Sequence, residues 1–279
     1  MRLAFARDFA RHRLGLLGTT LILLLIAFSF LGPLVHPTDQ IDVNIAIRNL
    51  GPSAGHPLGT DANGYDVLGR LMVGGRASLE IGVAVAVLAT LLGALWGAVA
   101  GFTGGALDAL MMRIVDTLLA VPAIFVLIYL ATIVQPTVQL LIGVIAVLSW
   151  LGPARLIRGE TISLRTREFV EAASAMGAGR TRMIARHVLP NTVGTLVVNA
   201  TFQVADAIIL LATLSFLGFG LPPPAATWGG MLYQGTSYLL DGYWWEVYPA
   251  GLMIMLTVIA FNLAGDALRE TVDARLARR

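Results

Sequence analysis

"EFVEAASAMGAGRTRMIARHVLPN", residues 168–191, is a charged, glycine-punctuated stretch between apolar runs long enough to cross a bilayer. Its neighbours decide how it is read. Of the 279 residues, 57% are hydrophobic and 13% charged, about half the charged share of a soluble domain. Lipid is therefore the solvent for most of the surface. Runs approaching the roughly 20 apolar residues of a membrane helix occupy 14–35, 79–102, 109–134, 138–154, 193–217 and 247–265. The third opens on charged residues and the fourth is short. The expected architecture is an all-α polytopic protein of six transmembrane helices, with the quoted stretch joining spans four and five. The first run follows "MRLAFARDFARHR", which has the basic character of a secretory signal. Its apolar part is too long for one and ends in "GPLVHP" rather than a small-residue cleavage site, so it reads as an uncleaved anchor.

Charge orients the bundle. All 19 basic side chains are arginine. With the N-terminus in the cytoplasm, every arginine except Arg48, Arg70 and Arg76 falls in a cytoplasmic segment, as the positive-inside rule requires. Both termini and the 155–191 loop are thus expected inside. The absence of lysine excludes a Walker A loop and Schiff-base chemistry. The absence of cysteine excludes disulfides and thiolate metal sites. His12, His36, His56 and His187 are not at metal-ligand spacing.

Within the loop, residues 155–176 favour helix, Gly177 and Gly179 break it, and helical character resumes before Pro190. A helix-turn-helix tethered at both ends to spans is stiff. Its charges are Arg155, Arg158, Arg165, Arg167, Arg180, Arg182 and Arg186 against Glu160, Glu168 and Glu171. They suit either an exposed protein-binding surface or a layer on anionic headgroups. Span two carries Ala89, Gly93, Gly97 and Gly101 at spacings of four, a small-residue stripe for close helix packing. In span five, Asn199, Gln203 and Asp206 share a face; they either line a translocation path or clasp a neighbouring helix. Asp108, Arg113 and Asp116 are expected to form an ion-pair cluster under the loop. The outer segment 36–78 reads as irregular with short helices, packed over the bundle. The aromatic connection 218–246 is either an interfacial belt or part of a docking surface.

The loop resembles the EAA loop of ABC importer permeases: Glu171-Ala172-Ala173, three residues, Gly177, and Leu189-Pro190 a dozen positions later. His187 stands where the wider pattern has Ile and the peptide and nickel branch has His. "HPLGTDANGYDVL", "ARLIRGETISLR" and "LSFLGFG…PP…WGGML" agree with that branch, and the first of these is similar to its C-type subunit. Two positions depart: Tyr65 replaces a usual Arg, and "PPPAATW" lacks a customary Pro.

The resemblance implies a type I ABC importer permease fold in a bacterial inner membrane. Residues 1–75 would form an anchor helix plus periplasmic segment, and 76–279 a five-span core with the loop at 155–191. It implies that Glu168, Glu171, Ala172, Ala173, Gly177, Arg180, His187, Leu189 and Pro190 couple to an ATPase, with Ala172 and Ala173 both allowing close approach. The implied partners are a homologous B-type permease, two cytoplasmic ABC ATPases that bind ATP and Mg, a periplasmic or lipid-anchored substrate-binding protein, and membrane lipid. Neither nucleic acid nor a cofactor in this chain is expected. Cargo would be di- or oligopeptides, with nickel chelates the alternative. An ion-coupled secondary transporter would need inverted repeats and paired intramembrane carboxylates, and neither is evident.

Overall fold

The computed structural model describes residue 9 and residues 12–276. Arg2, Arg7, Arg11, Arg278 and Arg279 of the charge argument lie outside the described residues. Among the described residues there is no β-strand, only an isolated bridge between Thr60 and Asp66. Four helices are long and apolar enough to cross a membrane, or up to six if each of two bent pairs counts as one span.

The first helix, α1 (Arg13–Val35), starts at His12, whose ring accepts from the Gly15 amide at 3.2 Å. The centre of the bundle is α2 (Val67–Thr103), 37 residues long and so about 55 Å from end to end. It begins well before the expected 79. The three glycines in "VLGRLMVGGRAS" argue against helix on propensity alone, but Asp66 caps the first turn by accepting from Gly69 N at 2.7 Å. Packing then requires small residues there: a side chain on Gly75 would strike Trp228 and Ser29.

Where the third and fourth spans were expected, there are two bent helix pairs in place of two single runs. The third is α3 (Gly105–Leu119) and α4 (Ala123–Ile133), set at 71°. The break falls at Pro122, which lacks an amide hydrogen and forces its predecessor out of helical geometry. The fourth is α5 (Val138–Ser149) and α6 (Leu151–Arg165), set at 42°. Here Pro153 withholds the amide that would bond the Ser149 carbonyl four residues back, and that carbonyl is met from another helix.

Next come two short helices, α7 (Glu168–Ala175) and α8 (Arg180–Met183), and then a π-turn at Ile184–Val188 that runs directly into α9 (Leu189–Leu214). The expected separation between loop and fifth span is absent. Pro190 directly follows the π-turn, and Arg180–Phe219 is one helical run of 40 residues with a break at Gly218 near its end. The short outer helix α10 (Trp228–Thr236) and the last span α11 (Tyr248–Leu276) complete the chain.

The small-residue stripe packs as expected. Gly93, Gly97 and Gly101 lie against the backbone of α6 from Trp150 to Arg158, where any side chain would collide. Three apolar clusters follow from α2. Leu71, Leu79, Val204, Ile208, Trp228 and Phe261 fill the half around the start of α2. Ile81, Val85, Leu127, Ile145 and Leu211 join the bent spans. Ala98, Ile157 and Val188 close the opposite end, near the last turns of α2.

The outer segment holds a single three-residue 3-10 turn, Ile45–Ile47. It is fastened to the bundle by Trp245, whose indole donates to Thr60 O at 3.2 Å. The two departures from the family pattern meet here. Tyr65 is 3% exposed and offers its ring to Arg70 at 4.3 Å, a cation–π contact, while Arg70 donates to Pro224 O at 2.7 Å. Burial raises the Asp61 carboxyl above the usual carboxylate range, against the pull of the Tyr65 and Asn63 amides and of Arg70. The aromatic connection divides: Trp228 is fully buried and Trp245 fastens the outer segment, whereas Trp244, Tyr233 and Tyr248 stay exposed.

Candidate functional site

The loop near the last turns of α2 is built from a short helix with one edge turned into the bundle. Val170 and Ala173, three apart, are buried against Met183, with Phe102 and Ala178 packed on them. Glu168, Phe169, Glu171, Ala172 and Met176 face outward, Met176 with 83% of its surface exposed. Ala173 is therefore used inside the chain, and Ala172 is the alanine left for close approach by another protein. Glu171 lines a shallow cavity of about 390 Å³ with Phe102, Arg165, Ser174 and Ala175.

The turn after α7 is closed by hydrogen bonds. Gly177 has φ +84°; its amide donates to Ser174 O at 2.9 Å and the Ala178 amide to Ala173 O at 3.1 Å. This is a Schellman motif, in which the residue after the cap takes the left-handed conformation that glycine adopts without strain. Ala178 also packs with Ala173, as such a cap requires. The chain is thereby turned into α8, whose first residue Arg180 is exposed.

The charges separate into a paired group and an unpaired one. Arg158 forks onto Asp108 at 2.6 and 2.7 Å, and Arg155 reaches Asp116 at 2.5 Å. Arg165 donates to Phe102 O at 3.3 Å, and Glu160 accepts from Thr195 at 3.0 Å. The expected cluster of Asp108, Arg113 and Asp116 thus takes its cations from α6; among the described residues Arg113 makes neither pair. Glu168, Glu171, Arg167, Arg180, Arg182 and Arg186 are exposed and, among the described residues, form no ion pair. The remaining predicted positions lie further along that helical run. His187 is half-buried in the π-turn, its carbonyl accepting from Asn191 at 2.6 Å. Leu189 packs on the cluster of Ala98, Ile157 and Val188, and Pro190 is exposed.

The polar positions of α9 do not act as one face. Gln203 is 9% exposed and donates to the Ser149 carbonyl at 2.9 Å, the group released by Pro153. Asn199 is half-buried, and its Oδ1 has no partner among the described residues. Asp206 is exposed, on the side of Ile209. The signal for Gln203's role was Pro153 itself, a proline inside an apolar run that must leave one carbonyl unpaired. We expect Gln203→Leu to lower detergent-phase stability by about 1–3 kcal/mol, the cost of stranding a buried carbonyl. Asp206→Asn should change stability by less than about 0.5 kcal/mol. Thermal unfolding of the two variants side by side checks this.

The described residues form an apolar helical bundle with two bent helix pairs and, at one end, an ordered loop of unpaired charges. Residues 77–278 match the model for binding-protein-dependent transport system inner membrane components, and residues 2–52 match the N-terminal TM domain of oligopeptide transport permease C. The dipeptide transport system permease protein of Bacillus subtilis is 37% identical over 272 residues, covering 98% of this chain and 85% of that protein. The oligopeptide transport system permease protein of the same organism is 37% identical, covering 97% and 88%. That of Haemophilus influenzae is 35% identical, covering 96% and 87%. The chain belongs to the family of binding-protein-dependent transport system inner membrane components, in its peptide permease branch, and is a multi-pass inner-membrane protein.

Proposed function

We propose that this chain is the C-type permease subunit of an ATP-driven importer of di- or oligopeptides. It forms half of the pathway with a homologous B-type permease and takes cargo from an external binding protein. It couples to two cytoplasmic ATPases, which bind ATP and Mg, through Glu168, Glu171, Ala172, Gly177 and Arg180. The peptide class rests on the names of the relatives. The coupling role rests on one observation: α7 is anchored by Val170 and Ala173 and turned by Gly177, so its unpaired charges are held on a rigid outward edge. Such an edge meets a partner's groove without a large ordering cost.

Orientation supports the same reading. Arg70 and Arg76 lie in the early turns of α2, whereas Arg158 and Arg165 pack near its last turns at Gly101 and Gly104. We place the Arg158 end and both termini in the cytoplasm.

The test is co-purification of the tagged chain, expressed with its B-type and ATPase partners, as wild type and as Glu171→Arg. Losing one partner of an interfacial charge pair costs about 2–5 kcal/mol. Glu171→Arg should therefore release the ATPase while the permease pair remains intact. Undiminished ATPase recovery would remove the coupling assignment.

A further inference from the structure

The long spans expose apolar side chains along most of their length, α2 with Val83, Val87, Leu91 and Leu95 and α11 with Leu252, Met255 and Ile259. α9 differs. Its Val204 and Ile208 pack with Leu71 of α2 and Phe261 of α11, and Gln203 is taken by the Ser149 carbonyl. Beside these, Thr195, Asn199, Asp206 and Thr213 follow one another at four, seven and seven residues. At 3.6 residues per turn they lie within about 40° of one another on the helix. Phe202 shares this line and lies against Gly265 of α11. Thr195 and Asn199 are half-buried, and Thr195 closes that end of the line by donating to Glu160 of α6 at 3.0 Å. Further along, Asp206 and Thr213 are exposed. The Thr213 hydroxyl donates to the Ile209 carbonyl at 2.8 Å. The Asp206 carboxylate has neither ion pair nor hydrogen bond among the described residues, although it stands at the middle of the apolar run 193–217. A carboxylate at such a depth is costly in hydrocarbon and persists where it meets water or protein.

We infer that this open face of α9 is a wall of the water-filled pathway, and that Asp206 there receives the cationic amino end of the peptide. The inference rests on the paired permease and the peptide cargo proposed above. An ionised carboxylate only accepts hydrogen bonds, so its complement is a donor. A peptide's free amino terminus brings several N–H groups and a positive charge. Ile209, Phe216 and Leu217, exposed on the same stretch, offer apolar surface to side chains of varied kind. Contact with an exposed carboxylate is weakened by water, as suits a station that must let its ligand leave.

The chain contains no cysteine, so Ile209→Cys and Thr213→Cys can each be read against the unsubstituted complex, reconstituted with its B-type and ATPase partners. A water-borne trimethylammonium thiosulfonate should modify both far faster than Leu23→Cys on the exposed apolar side of α1, because the reactive thiolate does not form in hydrocarbon. Corrected for their rates with a free thiol, the cationic reagent should outpace its anionic sulfonate analogue by about tenfold, the low end of electrostatic focusing in a charged cleft. Asp206→Asn should abolish that preference. It should also lower uptake of a peptide with a free amino terminus by about fivefold, the equivalent of one net hydrogen bond. Asp206→Glu should recover most of the uptake, and ATPase co-purification should be unchanged in both variants. Slow modification of both cysteines by both reagents would place the face against lipid or the second permease and overturn the inference. Rapid modification without charge preference would overturn it too, as would wild-type uptake in Asp206→Asn. The cysteine rates require neither ATP nor a docked ATPase, so they stand apart from the Glu171→Arg result. If Glu171→Arg keeps the ATPase, the coupling role falls and the assignment of α9 is judged on the rates alone.

Discussion

In membranes carrying Gly177→Asp, ATP-driven peptide uptake should fall at least about tenfold, equivalent to ~1.4 kcal/mol of lost docking free energy. The chain should still insert and pair with its B-type partner. Two effects are separable at this position. The first is backbone strain: with φ at +84°, any side chain costs roughly 1–2 kcal/mol, somewhat less for Asp, which visits the left-handed region more readily than Ala. The second is at the surface. A side chain on Gly177 meets nothing within 4 Å in this chain, so it points to where a partner would sit. If strain alone mattered, Gly177→Ala would be the worse variant. A docking surface predicts that Gly177→Asp is worse, because it adds an unpartnered carboxylate to an interface. Uptake and ATPase co-purification for the two variants decide between them, and wild-type uptake in Gly177→Asp would remove the coupling assignment.

The largest loss of stability is expected from Trp228→Ala, at about 3–5 kcal/mol, the range for emptying a large aromatic site. Trp228 is 0% exposed, and its indole donates to the Leu71 carbonyl at 2.9 Å. The carbonyl of Leu71 would be left enclosed, and a void would open against Gly75, which accommodates the ring only because it lacks a side chain. Trp228 ties α10 to α2 and to the outer cluster, so its removal should also loosen the outer segment. Thermal unfolding in detergent measures the first effect, and faster protease cleavage within residues 36–66 the second. Trp244→Ala is the control: it is 46% exposed and should cost little in either assay.

The comparison of Trp228 with Trp244 shows where sequence reading stopped. Both stand in one aromatic connection, and interfacial anchoring predicts the same environment for each. Whether a ring enters the bundle depends on a gap in another helix, at Gly75, and no local pattern in the connection encodes that. The same holds for the loop arginines. Spacing places all seven between two spans, but Arg155 and Arg158 are paired with Asp116 and Asp108, some forty to fifty positions earlier in the chain. By contrast, the stripe of Gly93, Gly97 and Gly101 was legible because one helix face carries it. Gly177 was legible because a left-handed cap after a short helix is a local event. The bends at Pro122 and Pro153 were visible as prolines, but they had been absorbed into continuous apolar runs.

Alone, the sequence determined that this is a helical membrane protein and where its charged loop lies, because hydropathy, arginine placement and glycine caps act over a few neighbouring residues. It also carried the register of Glu171, Gly177 and Pro190 that marks the family. Only the tertiary structure decided which charges remain outside, which alanine faces outward, and that Gln203 answers the carbonyl freed by Pro153. Those outcomes depend on which surfaces meet. The ion pairs and carbonyl bonds that fix them form between residues far apart in the chain, once the helices have packed.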